Sequence, residues 1–206
     1  MINLVFVRHG HTGYNDQKIV QGHSHNPLSE IGAEQARKVG ERLKDQHFDI
    51  AFCSDLKRTK DTIKEILKYH SDLPVIYEPL LREKGSGIFE GKLSVLREEA
   101  RLSSGLSKED FCPEGGENDT DVLIRVKKFI KMIANDYSDK TILAVTHGIW
   151  LKNLFCYIDQ EIGSKLTEIA NTSISVVLID ENKKISIKTI NDIKHLEETP
   201  SNVLTD

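Results

Sequence analysis

The chain has 206 residues, of which 38% are hydrophobic and 29% charged, and a formal net charge of −4. A chain of this length buries enough surface to fold without disulfides or a structural metal, and its negative net charge argues against a nucleic-acid partner. The three cysteines, Cys53, Cys112 and Cys156, are odd in number and widely spaced, so they indicate neither a disulfide framework nor a zinc ribbon.

Membrane association and export are not expected from the sequence. No apolar stretch approaches the roughly 20 residues that a membrane-spanning helix needs. The N-terminal sequence MINLVFVRHG has neither a basic leader nor a small-residue cleavage site, so it does not resemble a signal peptide. A cytoplasmic location is therefore the expectation, and the sequence leaves the oligomeric state, including a homodimer, open.

Strands are predicted where short apolar runs occur. These runs are residues 2–7, 49–53, 141–146 and 174–179, and their near-continuous apolar character is typical of parallel strands buried on both faces. Residues 184–190 alternate as KISIKTI, which predicts an edge strand that pairs with residues 174–179 across a short turn.

Helical patterns lie between the predicted strands. Ser29 is a good N-cap for a first helix, and apolar residues recur at helical spacing from Leu56 to Leu67 and from Val122 to Ile133. Residues 149–158 are apolar nearly all round and predict a buried helix. This alternation of strands and helices predicts an α/β fold.

The predicted architecture is a single three-layer α/β/α domain over residues 1–195, with a mostly parallel sheet and an antiparallel C-terminal edge strand. Residues 85–117 are rich in Gly, Ser and charge, which indicates an excursion over one edge of the domain with a short helix from Ser94. Residues 196–206 are polar and are expected to form a loose tail.

Basic side chains and histidines follow three of the predicted strands. Arg8 and His9 follow the first strand, Arg58 lies in SDLKRT after the second, and His147 follows the strand at 141–146. Ligands bind at the carboxyl ends of the strands in open α/β sheets, so these side chains are expected to meet at one edge. Two arginines beside helix N-termini predict a site for a compact anion, and phosphate is the obvious candidate.

The histidines indicate chemistry beyond binding. A neutral imidazole is available as a nucleophile near neutral pH, and attack of His9 on phosphorus would form a phosphohistidine. Arg8, Arg58 and His147 could then stabilise the charge of the transferring group. The leaving alkoxide needs a proton, and the candidate donor is Glu83 in LLREKGSGIFEG, where a β-like segment is expected to lead into a Gly-rich loop.

The chain resembles the histidine phosphatase superfamily. Seven motifs occur in the order typical of that family: RHGHTGYN, QG, HNPLSEIG, SDLKRTKDT, LREKGSGIFEG, PEGGEN and VTHG. The resemblance covers about residues 1–195 and is greatest to the short broad-specificity phosphatases and the fructose-2,6-bisphosphatase-like proteins.

The resemblance implies roles for particular residues. His9 would be the phosphorylated nucleophile and Glu83 the proton donor, while Arg8, Arg58 and His147 would hold the phosphoryl group. The substrate-binding residues that it implies are Thr12, Asn15, Gln21, Gly22 and the backbone of Gly148. It implies a small phosphorylated metabolite as the substrate, and neither a metal nor an organic cofactor. The chain departs from the family at His11, where Glu is common, and in the glycines and serine of EKGSG.

Three alternatives compete with a phosphatase. The histidine pairs His9/His11 and His23/His25 could chelate zinc or copper, but the motifs do not supply the Asp or Glu ligands that a hydrolytic metal site normally has. A phosphoglycerate mutase would share the phosphohistidine step, yet the mutase-type aromatic motif and longer insertion are not found. A catalytically weak domain that binds phosphorylated ligands would be expected to lack one of the four key side chains, and all four are present.

Overall fold

The computed structural model describes residues 1–197, and the structural statements below concern those residues. The strands are β1 (Ile2–Arg8), β2 (Ile50–Cys53), β3 (Val75–Tyr77), β4 (Thr141–Thr146), β5 (Ile174–Ile179) and β6 (Ile185–Asp192). The α-helices are α1 (Gly13–Asp16), α2 (Glu30–Leu43), α3 (Lys57–Leu67), α4 (Ser94–Ser104), α5 (Asp119–Asp136), α6 (Gly148–Ile158) and α7 (Gln160–Lys165). Short 3-10 turns cover Pro79–Leu81, Gly87–Phe89 and Lys194–Leu196.

The six described strands form one sheet in the order β3-β2-β4-β1-β5-β6. The first four in this order run parallel, while β5 pairs antiparallel with both β1 and β6. The predicted α/β fold, with its mostly parallel sheet and antiparallel C-terminal pair, is confirmed. The expectation that residues 174–179 form a parallel strand is wrong. β5 lies inside the sheet with apolar neighbours on both faces, so its apolar run reflects burial and not strand direction.

Two hydrophobic clusters cover the two faces of the sheet and produce the three layers. Alternate β1 side chains point to opposite faces, so Phe6 packs with α5 and α6 whereas Val5 and Val7 pack with α2 and α3. Trp150 of α6 is fully buried and lies 5.6 Å from Phe6 between ring centroids. The predicted buried helix over residues 149–158 is confirmed.

Local signals account for the helix starts and for one wrong prediction. The Ser29 hydroxyl accepts a hydrogen bond from the Gly32 N–H (3.1 Å) and caps α2 as predicted. The predicted helix from Ser94 is α4. The segment before Glu83 is a 3-10 turn, not the expected β-like segment, because Pro79 begins it and the Glu78 side chain caps it.

β3 was not predicted because its three residues are too few for any periodicity, and Tyr77 is half exposed at the sheet edge. Of the predicted loose tail, all but Leu196 and Glu197 lies outside the described residues. Within residues 1–197, the helices are all either too short or too polar to cross a membrane.

Candidate active site

His9 lies immediately after β1 and is 2% exposed. Its Nδ1 is 2.7 Å from the carbonyl oxygen of Gly10. A carbonyl can only accept, so we infer that Nδ1 carries the proton and that Nε2 has a free lone pair. Burial, followed by the positive charges of Arg58 and Arg8, lowers the pKa of His9 well below its ordinary value. His9 is therefore a neutral imidazole with one nucleophilic nitrogen.

His147 stands beside His9 because their strands are neighbours. β4 pairs in parallel with β1, Arg8 lies opposite Thr146, and the two imidazole centroids are 5.1 Å apart. His147 Nε2 is 2.8 Å from the hydroxyl oxygen of Ser54, which follows β2. Burial, then the charge of Arg58, lowers the pKa of His147 as well. The Ser54 hydroxyl can donate to Nε2, and we infer that it does, so that the neutral ring carries its proton on Nδ1.

Arg58 supplies a buried positive charge from the first turn of α3. Its Nη2 donates to the Gly22 carbonyl at 2.9 Å, and its Nη1 donates to the Ser24 carbonyl at 3.0 Å. Burial lowers the pKa of Arg58 to about 10, so the group remains cationic at neutral pH. On the neighbouring segment, Nη1 of Arg8 donates to the carbonyl of Ile169. Both guanidinium groups are thus held in place by backbone oxygens.

Three N–H donors in this region are buried without a hydrogen-bond partner among the described residues: Nε of Arg8, Nε of Arg58 and Nδ1 of His147. An unsatisfied buried donor costs about 1–3 kcal/mol. Three such donors, from three segments that the sheet brings together, match the several acceptor oxygens of a tetrahedral anion.

Glu83 follows the 3-10 turn at Pro79–Leu81 and reaches the N-terminus of α6. One carboxylate oxygen accepts from the Lys84 N–H (3.0 Å) and the other from the Ile149 N–H (3.3 Å). The backbone around Glu83 is anchored by an Arg125–Glu117 ion pair: Arg125 donates to the Glu83 carbonyl, and Glu117 accepts from the Gly85 N–H. Glu117 therefore fixes the geometry of this loop.

Other carboxylates near this loop have different tasks. Glu78 caps the 3-10 turn, and Glu90 accepts from the N–H groups of His23 and Ser86. Only two described carboxylates, Glu83 and Glu168, line the cleft beside Arg8. Glu168 is 80% exposed at its side chain, so Glu83 is the better placed acid.

A cleft of about 410 Å³ lies over this region. Its walls include the catalytic candidates Arg8 and Glu83 and the predicted substrate-binding residues Asn15, Gln21, Gly22 and Gly148. His9, Arg58 and His147 are buried and are not part of the cleft wall. A side chain at Gly148 would lie 3.3 Å from Nε of Arg8, so glycine keeps this approach open.

Thr12 departs from the prediction of a substrate-binding role. It is fully buried and does not line the cleft, and its hydroxyl donates to Oδ1 of Asn15 at 2.8 Å. The buried Thr12 side chain, at the N-cap of α1, therefore positions the Asn15 side chain.

His11 points away from His9 despite the i, i+2 spacing. Its Nδ1 is 2.9 Å from the Ser29 hydroxyl, and its Nε2 is 3.2 Å from Asp16. Across residues 1–197, no group of three or more His, Cys, Asp and Glu side chains is arranged to hold a metal ion. His11 instead joins the N-terminus of α2 to the loop after β1.

Two residues near His9 are not identified from the sequence, because the apolar run at 174–179 predicts a parallel strand whereas β5 is antiparallel to β1. Asn171 Nδ2 donates to the His9 carbonyl at 2.9 Å, and the Thr172 N–H donates to the Arg8 carbonyl at 3.1 Å. Since β5 runs antiparallel to β1, the residues before β5 lie at the carboxyl end of β1. Ser54 was also missed, although its position directly after β2 was an available signal.

A family model for the histidine phosphatase superfamily (branch 1) matches residues 4–193, so the chain belongs to that superfamily. Phosphoglycerate mutase-like protein 4 of Arabidopsis thaliana is 32% identical over 95% of this chain and 87% of its own length. Metal-independent phosphoserine phosphatase, also of Arabidopsis thaliana, is 32% identical over 94% of this chain and 82% of its own length.

A solved structure, Bacillus stearothermophilus YhfR, is similar with a TM-score of 0.87 and 24% identity, covering 96% of this chain and all of that one. This likeness concerns the fold. The family membership and the phosphatase-named relative show that the protein is a phosphoric monoester hydrolase.

Proposed function

We propose that the protein hydrolyses small phosphomonoesters without a metal, through a phosphohistidine on Nε2 of His9. The observation that carries this proposal is the set of unpartnered donors on Arg8, Arg58 and His147 around a buried, neutral His9. Those donors suit the equatorial oxygens of a phosphoryl group during transfer.

In the first step Nε2 of His9 attacks phosphorus, an N–P bond forms, and the bond between phosphorus and the ester oxygen breaks. Glu83, in its acid form, gives its proton to the leaving oxygen. The neutral state of His9 supports this step, because an imidazolium has no lone pair at Nε2. Arg8, Arg58 and His147 stabilise the negative charge that spreads over the transferring group.

In the second step water attacks the phosphohistidine. Glu83, now a carboxylate, accepts a proton from that water while the N–P bond breaks. Inorganic phosphate leaves, and both His9 and Glu83 return to their starting protonation states. The two amide donors on Glu83, from Lys84 and Ile149, keep the carboxylate aimed into the cleft in both steps.

The substrate in this proposal is a small phosphorylated metabolite, such as a sugar phosphate or a phosphoglycerate, and the setting is carbohydrate metabolism in the cytoplasm. The cleft of about 410 Å³ is of a size that suits a small ligand. The phosphatase activity in the name of one relative supports a phosphate ester of this kind.

A mutase is the second candidate, because another relative is named as mutase-like. A mutase must hold its bisphosphorylated intermediate and exclude water in a closed pocket. Here the loop at residues 85–91 is short, and Gly87–Phe89 forms a single 3-10 turn beside Ser86. The loop favours a cleft that water can reach, and so favours hydrolysis.

The test is release of inorganic phosphate from a panel of small phosphate esters in the presence of a chelator. The wild-type protein is expected to release phosphate, and His9→Ala is expected to lose at least about 10³-fold in turnover because the acceptor nitrogen is gone. Near-normal turnover by a folded His9→Ala protein, or wild-type activity that the chelator abolishes, would contradict the proposal.

A further inference from the structure

The side chain of His23 contacts the backbone of Glu83 from behind the cleft wall. Its Nε2 is 2.8 Å from the Glu83 carbonyl oxygen. A carbonyl can only accept, so Nε2 carries the proton and donates it. Gly22 and Glu83 both line the cleft, but His23 is not part of its wall. Because His23 does not reach the reacting atoms, it can affect the reaction only through the groups that it holds.

The backbone on either side of His23 holds Arg58. The carbonyls of Gly22 and Ser24 accept hydrogen bonds from the Arg58 guanidinium at 2.9 and 3.0 Å. Residues 22–24 therefore contact two parts of the site: the main chain contacts the buried cation, and the His23 side chain contacts the backbone of the proposed proton donor. One short piece of chain thus sets the distance between Arg58 and Glu83.

Glu90 fixes this segment against the loop that follows Glu83. Its carboxylate oxygen Oε1 accepts hydrogen bonds from the His23 N–H at 2.8 Å and from the Ser86 N–H at 3.0 Å. Gly22 has a φ of +47°, and a Cβ at this position would clash with the Glu90 carboxylate, so glycine permits the close approach. The two loops are therefore joined by one carboxylate and by the His23 side chain.

Arg125 is a second donor to the Glu83 carbonyl. Its Nη2 donates to the same oxygen at the longer distance of 3.2 Å and is also paired with Glu117. Because Arg125 is unchanged when His23 is replaced, the Glu83 carbonyl keeps one donor and is not left as an unsatisfied acceptor. Replacement of His23 is therefore expected to shift Glu83 without unfolding the loop.

We propose that His23 is a positioning residue that couples the proton donor Glu83 to Arg58. The hydrogen bond from Nε2 fixes the Glu83 backbone relative to the segment that holds Arg58, and so fixes the carboxylate relative to the leaving oxygen of the ester. A displacement of about 1 Å at a catalytic group can cost about 10²-fold in rate. This inference rests on the proposed function, since it concerns the placement of the same acid.

The experiment measures kcat and KM of His23→Ala for glycerol 3-phosphate and p-nitrophenyl phosphate. The kcat for glycerol 3-phosphate is expected to fall by about tenfold to a hundredfold, because its alkoxide needs a well-placed acid. The kcat for p-nitrophenyl phosphate is expected to stay within about threefold, because p-nitrophenolate hardly needs the proton. Both KM values should change little, since His23 is not part of the cleft wall. An equal loss of kcat on both esters, or a loss on neither, would overturn the inference.

Two polar substitutions separate the hydrogen bond from the presence of a ring. His23→Gln places an amide N–H near the position of Nε2, whereas the shorter side chain of His23→Asn places one near that of Nδ1. The Gln variant is expected to keep most of the turnover of glycerol 3-phosphate, and the Asn variant is expected to resemble His23→Ala. Equal turnover by the Gln and Asn variants would contradict a role for the hydrogen bond from Nε2.

His25→Ala is the matched control, because His25 is an exposed histidine two residues further along the same loop. It is expected to keep the wild-type kcat for both esters, and a loss like that of His23→Ala would contradict a specific role for His23. A double-mutant cycle then tests whether His23 acts through Glu83. In the Glu83→Gln background, His23→Ala should cost little further turnover of glycerol 3-phosphate, because the acid that it positions is gone. A full additional loss there would overturn the inference.

Amide hydrogen exchange separates the inference from the proposed function. The Ile149 N–H donates to the Glu83 carboxylate, so its exchange is expected to be at least about threefold faster in His23→Ala than in the wild-type protein or His25→Ala. Faster exchange supports the placement of Glu83 by His23 even if the wild-type protein hydrolyses neither ester, a result that would refute the proposed function alone. Unchanged exchange of the Ile149 N–H in His23→Ala would refute the inference.

Discussion

Replacement of Glu83 by Gln removes the proton that the leaving group needs and changes little else. The side chain keeps its length and planar end, and the acid that remains at the cleft wall is the exposed Glu168. An alkoxide is a poor leaving group that needs protonation, whereas p-nitrophenolate leaves almost without it. The loss should therefore depend on the ester.

Glu83→Gln should lower turnover in two ways, through a lost hydrogen bond and through the loss of general acid catalysis. Glu83 accepts hydrogen bonds from two N–H groups, and in Gln the amide nitrogen cannot accept, so one of these bonds is lost at a cost of about 1 kcal/mol, or roughly fivefold. Loss of general acid catalysis costs about 10²- to 10⁴-fold. We expect p-nitrophenyl phosphate to show only the first effect, and glycerol 3-phosphate to show both.

The assay is steady-state phosphate release from these two esters, with Glu168→Gln as the control. Glu168 lies in the same cleft and contacts Arg8 at 3.8 Å, but its side chain is largely exposed. Its replacement is expected to affect both esters equally and weakly. An equal loss on both esters in Glu83→Gln would refute the assignment of Glu83 as proton donor and indicate a positioning role.

Two further predictions concern stability and product. The free energy of unfolding is expected to fall as pH drops below about 6.5, by up to about 1.4 kcal/mol per pH unit for each buried histidine, because unfolded histidines bind protons there while His9 and His147 do not. Urea unfolding between pH 7 and pH 5.5 should show that the free energy of unfolding falls less steeply for His9→Ala than for the wild-type protein. A wild-type free energy of unfolding that does not change with pH would contradict this prediction. With 3-phosphoglycerate, phosphate release should exceed formation of 2-phosphoglycerate, without activation by 2,3-bisphosphoglycerate; primed interconversion with little phosphate release would indicate a mutase.

Much of the fold followed from apolar patterning, and the misses have physical causes. The apolar runs at β1, β2, β4 and β5 were each predicted to within a residue or two of their ends, because burial on both sheet faces leaves little room for polar residues. The same burial occurs in either strand direction, so the apolar pattern predicts a parallel strand where β5 is antiparallel. β3 lies at an edge and is too short to leave a pattern.

The site shows a similar division. Residues at or directly after the carboxyl ends of parallel strands, such as Arg8, His9 and His147, could be placed together from topology alone. Asn171, which holds the His9 carbonyl, could not be placed without the antiparallel pairing of β5. Arg97 of α4 and Lys152 of α6 also line the cleft, but the sequence pattern of a helix surface does not distinguish a charged residue at a cleft from one in solvent.

The proposed mechanism requires a phosphoryl group on Nε2 of His9, and this intermediate can be trapped. Wild-type protein mixed with a phosphate ester, quenched in alkali and digested should yield an acid-labile, base-stable phosphopeptide containing His9. Nuclear magnetic resonance should place the phosphorus on Nε2, because Nδ1 is hydrogen-bonded to the Gly10 carbonyl. Phosphate found on another residue, on Nδ1 of His9, or on no residue during rapid turnover would contradict the mechanism.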